Sequence, residues 1–476
     1  MRFGANMNKF KNTYCNPIPL PDYPIGRQSL DRDYNWRETA DPTVLYENGI
    51  WYLYSSCGMV YWSEDFVTWN HKHMEPYDCG YAPTVAKHNG KYYLCSSLSD
   101  LFVSDDPLGP FTSLGRFTLP DGKELERCYD PMVFSDDDGR FYLYYTTGWP
   151  EILGVELDAS TPTRLLSEPS LMFRFDPDHI WERGGEYNED GSSCAMEGPW
   201  MFKKNGVYYL TYGAPATEYS SYAMGAYKGS APLGPWTYME SSPFIEKRDG
   251  VVRGPGHGCI VEGPADTLWC FYTTTICYID AMERRIGYDP VFIDENGDLV
   301  CKKVTETPRW APGAVADPVN EGDTGLICVT GRRRAYASSE APGRSALYAT
   351  DEDLMSWWEP ADGDENPTLT IPMSYWGMTC CAVRIIWRDV GLSLCSGALP
   401  GPIKYKLYLR DTEESEEWTC VVDRSESCED MIVDYRTFET VRANEAKLEI
   451  LGWPEKIKPG VMNISVFGYW TKKENN

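Results

Sequence analysis

The sequence predicts an all-β protein: a five-bladed β-propeller followed by a jelly-roll-like β-sandwich. Two observations carry this. Aromatic residues make up 14% of the 476 residues, alongside 41 Gly and 34 Pro. That composition suits short strands and frequent turns better than helices. The second observation is self-similarity: one pattern of a small polar or acidic start, an apolar strand, a Gly-containing turn and an aromatic strand recurs five times.

The copies begin at Asp41 (DPTVLYENGIWYLYSS), Ala82 (APTVAKHNGKYYLCSS), Asp130 (DPMVFSDDDGRFYLYYTT), Glu197 (EGPWMFKKNGVYYLTYG) and, more diverged, His257 (HGCIVEGPADTLWCFYTT). Each is two period-2 strands joined by a turn such as ENG, HNG, DDDG or KNG, which is a hairpin signal. Material for two more strands follows each hairpin, often marked by SEDFVTW, SDDPLGPF or KGSAPLGPW. The starts lie 41, 48, 67 and 60 residues apart, which fits four-stranded blades with insertions. The largest insertion spans 148–196, and RRIGYDPVFIDENGDLV at 284–300 completes the last blade. The period-2 alternation excludes a helical solenoid.

The pattern stops after TETPRWAPG at 305–313. The expected organisation is therefore a propeller over 1–313, a connection over 314–332 and a sandwich over 333–476. Strand candidates in the last part are TLTIPM, CAVRIIW, KYKLYLR, WTCVVD, KLEILGW and MNISVFGYW.

Composition also excludes several function classes. With 71 acidic and 44 basic residues the formal charge is −27, so nucleic acid and anionic membrane surfaces are poor partners. No apolar run approaches the ~18–20 residues of a membrane span. The N-terminus lacks the apolar stretch of a secretory signal, and the 16 Cys are scattered without a C-x-x-C pair. Both point to reduced thiols and a cytoplasmic protein. Five His without HExxH argue against zinc, and P-loop and dinucleotide-binding motifs are absent.

The first strand of each propeller blade lines the central channel, so Asp41, Ala82, Asp130, Glu197 and His257 should converge although they are distant in sequence. Asp before Pro is often a turn residue. Here, however, acids fill three of five equivalent positions, so the repeat itself does not require them. Three carboxylates in one funnel suit glycoside hydrolysis, where one acts as base and another as proton donor. A neighbouring carboxylate raises the pKa of the group that must stay protonated.

RETADPTVLYENGIWYLY, CYDPMVF and MEGPWMFKKNGVYYLTYG resemble motifs of glycoside hydrolase family 43 over residues 14–312. The resemblance implies Asp41 as general base, Asp130 as the aspartate that orients and tunes the acid, and Glu197 as general acid. It implies inversion in a single step. It implies Arg284, with Arg285 the alternative, as an Arg approaching the substrate and the second aspartate. It implies His257, in GPGHG, as an axial residue beside a cation or water, with calcium the ion expected; no cofactor is required for the reaction. Trp149 and Trp181, in the long insertion, are candidate sugar-stacking walls, whereas Trp200 reads equally as core. The segments 336–360 and YKLYLRDTEESEEWTCVVDRSES resemble a discoidin-type, galactose-binding-like sandwich. Its expected role is packing rather than sugar binding.

The expected function is an inverting exo-glycosidase that removes terminal α-L-arabinofuranosyl or β-D-xylosyl residues from plant-derived oligosaccharides. A β-galactofuranosidase is the alternative within the family, and a carbohydrate-binding propeller the alternative outside catalysis. The expected partner is the oligosaccharide, and a homo-oligomer is left open.

Overall fold

The computed structural model describes residues 8–24, 37–75, 80–148, 150–275, 283–373, 377–390 and 399–470. Trp149 lies outside the described residues. The chain forms two compact units, one of Glu38–Ile276 with Ala281–Val304, the other of Thr305–Asn476 with the N-terminal stretch up to Arg37.

The first unit is the propeller. Five antiparallel sheets follow one another along the chain. Blade 1 is Thr43–Glu47, Ile50–Ser55, Met59–Ser63 and Asn70–His73. Blade 2 is Thr84–His88, Lys91–Cys95, Leu101–Ser104 and Thr112–Gly115. Blade 3 is Tyr129–Ser135, Phe141–Thr146, Glu151–Asp158 and Thr161–Leu165, with Ser170–Arg174 as a fifth strand from the long insertion. Blade 4 is Glu197–Lys204, Val207–Ala214, Ala223–Gly229 and Trp236–Tyr238. Blade 5 is Gly256–Glu262, Leu268–Thr275, Arg284–Ile293 and Leu299–Val300. The first strand of each blade packs on the first strand of the next, and that of blade 5 packs on that of blade 1, closing the ring.

The turns explain the first hairpins. Asn48–Gly49, Asn89–Gly90 and Asn205–Gly206 all have positive φ and join directly paired residues such as Glu47 and Ile50. Two consecutive left-handed residues make a type I′ turn, whose twist matches that of the strands, and Asn-Gly adopts it most readily. Between blades, apolar faces interdigitate. Tyr54, Val60, Val85 and Leu94 join blades 1 and 2, and Cys95, Leu101, Val133 and Leu143 join blades 2 and 3. Phe66 packs edge-on to Tyr288 at 4.4 Å, joining blades 1 and 5. Each such large side chain removed from water contributes about 1.5–3 kcal/mol.

The second unit is a two-sheet sandwich. One sheet orders Ile327–Cys328, Val461–Tyr469, Met378–Trp387 and Val433–Ala443. The other orders Tyr336–Ala337, Thr368–Pro372, Glu445–Gly452, Lys404–Arg410 and Thr419–Asp423. Leu369, Ile385, Leu407, Leu448 and Ile464 form the layer between them.

The unit boundaries differ from the sequence expectation. The N-terminal segment belongs to the sandwich unit: Thr13–Tyr14 pairs with Arg309–Trp310, and Phe10 and Cys15 are buried with Leu326, Tyr435 and Phe467. The expected connection 314–332 is structured as well. Asp317 caps the short helix Pro318–Glu321, and Ile327–Cys328 is an edge strand paired with Val461–Tyr469. These segments lack the hairpin repeat, so the sequence pattern could not assign them. Among the described residues no helix is long and apolar enough to cross a membrane.

Candidate active site

Each blade enters the channel through one left-handed residue. Asp41 (φ 52°), Ala82 (52°), Asp130 (47°), Gly198 (58°) and His257 (35°) all have positive φ. For L-residues this costs about 1–2 kcal/mol each, and such strain concentrates at functional sites. In the first four blades regular pairing begins two residues later, at Thr43, Thr84, Met132 and Trp200. The register residue of blade 4 is thus Gly198, and Glu197 sits one position upstream. The sequence repeat placed Glu197 at the same register as Asp41 and Asp130; the backbone corrects this by one residue.

The amides freed by these kinks find partners on the preceding blade, because a buried N–H without a partner is costly. Ala82 N–H donates to Ser56 Oγ at 3.0 Å and Asp130 N–H to Ser97 Oγ at 2.9 Å. Gly198 N–H donates to Asp130 Oδ2 at 3.2 Å, and Asp41 N–H to Thr273 Oγ1 at 2.8 Å. The hydroxyls also reach the carboxylates. Ser56 donates to Asp41 Oδ2 at 2.5 Å, and Ser97 to Asp130 Oδ1 at 2.9 Å.

Asp41 is 4% exposed. Arg284 clamps it with two bonds, Nη1 to Oδ1 at 3.0 Å and Nη2 to Oδ2 at 3.3 Å. Burial pushes the Asp41 carboxyl up, but Arg284, His257 and the Ser56 hydroxyl outweigh it and hold it below the ordinary Asp value. Arg284 therefore faces the first aspartate, not the second as the resemblance implied. Its other side is held by Glu38, fully buried, at 3.1 Å from Nε and 3.0 Å from Nη2. The alternative Arg285 is buried, and its Nη1 donates to the Arg284 carbonyl at 2.7 Å.

Glu197 is driven the opposite way. Burial first, and the Asp130 charge second, push its carboxyl up to about 7. Tyr222 donates its O–H to Glu197 Oε1. Tyr222 itself is kept protonated by burial and by the Glu197 charge. It occupies a slot that glycines leave open: a Cβ on Gly256 would lie 2.2 Å from its ring and one on Gly213 2.8 Å from its hydroxyl. The acid is thus oriented through one oxygen, and the pocket holds one carboxyl ionised and another protonated near neutrality.

His257 lies among the acids. Nδ1 is 3.5 Å from Asp41 Oδ1 and 3.9 Å from Asp130 Oδ2. This placement does not make a calcium cage. Calcium takes six to eight oxygen ligands, whereas His257 offers imidazole nitrogen only. Among the described residues no three His, Cys, Asp or Glu side chains are grouped to hold a metal. An ion here would draw nearly all its ligands from water.

The tryptophans separate. Trp181 is buried, donates its N–H to Tyr238 Oη at 3.0 Å and packs at 5.4 Å from Tyr212. The insertion folds it inward against Gly225, where a Cβ would meet the indole at 2.3 Å. Trp181 is therefore a packing residue, not a sugar-stacking wall. Trp200 is core, donating to the Ile260 carbonyl at 2.9 Å. The sequence reading missed Glu38, Ser56, Ser97, Tyr222 and Thr273. Ser56 and Ser97 follow the aromatic strands Ile50–Ser55 and Lys91–Cys95, and Thr273 lies near the end of Leu268–Thr275, where the recurring SS and TT pairs of the repeat marked the position.

The chain is 24% identical over 201 residues to "Beta-D-galactofuranosidase xynD" of Aspergillus niger, covering 42% of this chain and 53% of that protein. It spans only about half the length of that relative. It is 29% identical over 256 residues to a "Beta-xylosidase" of Xylanibacter ruminicola, covering 46% of this chain and 73% of that protein. A crystal structure of a thermostable family-43 glycoside hydrolase superposes with a TM-score of 0.52 at 25% identity, covering 63% of this chain and 99% of that one. The sequence model of the glycosyl hydrolases family 43 matches residues 37–298. That match takes in all five kinks and runs across more than half of the sequence, so the chain belongs to glycosyl hydrolases family 43.

Proposed function

We propose that the propeller is an inverting exo-glycosidase that releases terminal α-L-arabinofuranosyl or β-D-xylosyl units from plant-derived oligosaccharides. The observation that carries this reading is the opposed setting of two carboxyls: Asp41 is clamped by Arg284 and held low, while Glu197, bonded to the Tyr222 hydroxyl and near the Asp130 charge, is raised to about 7. Titratable groups pushed apart in this way serve as base and acid. Asp41, ionised, takes a proton from water as the water oxygen bonds to the anomeric carbon. The glycosidic C–O bond breaks, its electron pair passes to the leaving oxygen, and Glu197 protonates that oxygen. Proton exchange with solvent then returns Asp41 and Glu197 to their starting states. Asp130 accepts the Gly198 N–H, and its charge adds to the burial that keeps Glu197 protonated. Arg284 keeps Asp41 ionised and fixes its plane.

The similarity to the Aspergillus protein favours β-galactofuranoside as the second substrate to test. Cys15, Cys95, Cys259 and Cys270 are buried free thiols, which supports a reducing compartment, the cytoplasm.

The test offers 4-nitrophenyl α-L-arabinofuranoside, β-D-xylopyranoside and β-D-galactofuranoside to the protein and to Glu197→Gln and Asp41→Asn. One glycoside should turn over, with the variants slower by ~10²–10⁴. Variants within a few-fold of wild type would remove Asp41 and Glu197 from the chemistry. Inertness of the wild type towards all three would overturn the exo-acting arabinofuranosidase or xylosidase reading and its β-galactofuranosidase alternative.

A further inference from the structure

Arg284 is shared between two carboxylates, only one of which has a role in the reaction proposed above. Glu38, three residues before Asp41, is fully buried. It accepts from Arg284 Nε at 3.1 Å, from Tyr81 Oη at 2.5 Å and from Cys57 Sγ at 3.4 Å. A carboxylate taken wholly out of water persists only when well paired, and here all three partners converge on it. Two of them, Tyr81 and Cys57, lie at the blade 1–blade 2 junction, while Arg284 opens the third strand of blade 5. Thr39 N–H donates to the Arg284 carbonyl at 3.1 Å, so the Glu38 backbone segment is tied to the same strand.

We propose that Glu38 is a positioning residue: by sharing the Arg284 guanidinium with Asp41, it fixes that guanidinium in place and keeps Asp41 a competent base. This rests on the assignment of Asp41 as general base. The physical argument is one of charge. A guanidinium facing Asp41 alone would stabilise the carboxylate so strongly that it would accept a proton poorly. The second carboxylate offsets part of that field. It also holds the Nε edge of the fork and shares Nη2 with Asp41 Oδ2, leaving Nη1 to Asp41 Oδ1. The other groups facing Asp41 are His257, Ser56 and Thr273, with the charge of Glu197 beyond them. None of these touches Arg284 in place of Glu38.

The test compares Glu38→Gln, Glu38→Asp and Tyr81→Phe with wild type. Glu38→Gln should lower kcat by 10- to 100-fold with KM within about threefold. The loss should persist on a dinitrophenyl glycoside, whose leaving group needs no proton and on which Glu197→Gln recovers. The acid limb of kcat against pH should move down, because removing a negative charge beside Arg284 weakens the base. Glu38→Asp, which keeps the charge, should recover part of the loss, and Tyr81→Phe should give a smaller loss of the same kind. A purely structural Glu38 would lower the melting temperature of Glu38→Gln and leave kcat, its acid limb and the leaving-group pattern unchanged; that result overturns the proposal. If Glu38→Gln matches wild type while Asp41→Asn is inactive, this proposal alone falls. If Asp41→Asn keeps wild-type activity, the base assignment falls and this proposal with it.

Discussion

Gly198 and His257 face each other so closely that a Cβ on Gly198 would lie 2.6 Å from the imidazole. Gly198 also has φ of 58°, so blade 4 requires glycine there for two independent reasons. The adjacent Glu197 owes its position to this kink. Gly198→Ala should therefore cost about 2–4 kcal/mol from left-handed strain and overpacking. It should also lower kcat by ~10² or more, since displacements of about 1 Å at a reacting group have that effect. Gly206→Ala is the control. Gly206 has φ of 79° but nothing within 4 Å of its would-be Cβ. Thermal melts and kcat on one glycoside separate the two: the control should lose about 1 kcal/mol of stability and no activity.

The pH profile follows from the two carboxyls. Asp41 must be ionised and lies below the ordinary Asp value of 3.8, while Glu197 must be protonated and is raised to about 7. The profile of kcat/KM should thus be flat from the mildly acid range to near neutrality and fall above about pH 7. With a dinitrophenyl glycoside the basic limb should vanish, since that leaving group departs without a proton from Glu197. A basic limb unchanged by the leaving group would assign it to another residue.

Tyr222 donates to Glu197 Oε1 and favours the ionised acid. Tyr222→Phe removes that bond, so the Glu197 carboxyl should rise further and the basic limb of kcat/KM should move to higher pH. The acid also loses its orienting partner, so kcat should fall by about 10-fold. A fall in kcat with the limb unmoved would mean that Tyr222 only fills its slot between Gly213 and Gly256.

The repeat made the ring of strand starts legible, because hairpin turns of the Asn-Gly type and period-2 aromatic strands leave local signatures. Asp41, Asp130, Glu197 and His257 could be set on one ring on that basis, whereas Arg284 was implied only by the family resemblance. What the repeat could not carry was contact between non-equivalent positions. Glu38 precedes the first copy, and Tyr222 follows the fourth hairpin, so neither falls under the pattern: Glu38 meets Arg284 across blades, and Tyr222 folds back on Glu197 within blade 4. The one-residue offset of Glu197 was written in the sequence as Gly198–Pro199, aligned with Asp41–Pro42 and Ala82–Pro83. Reading it required giving weight to the Pro rather than to the acid. Trp181 failed as a sugar wall because aromatic residues in an insertion can fold back to cover a blade. Here Tyr238 and Gly225 receive it.

Raising a carboxyl from its ordinary value of 4.5 to about 7 also has a cost in stability, and its sign is fixed. Below pH 4.5 Glu197 is protonated in folded and unfolded chains alike. Between 4.5 and 7 the unfolded chain releases the proton while the folded one keeps it, so stability falls as pH rises, by about 1.4 kcal/mol per unit at most. Above 7 the penalty is constant. Asp41 behaves oppositely: its depressed carboxyl contributes stability above the ordinary Asp range that is lost as pH falls. Glu197→Gln should therefore be more stable than wild type at pH 8 by on the order of 1–3 kcal/mol, and no more stable at pH 4. Denaturant unfolding at the two pH values checks this. Equal stability at pH 8 would mean that Glu197 ionises in the fold without cost, and the physical basis for its protonation near neutrality would be gone.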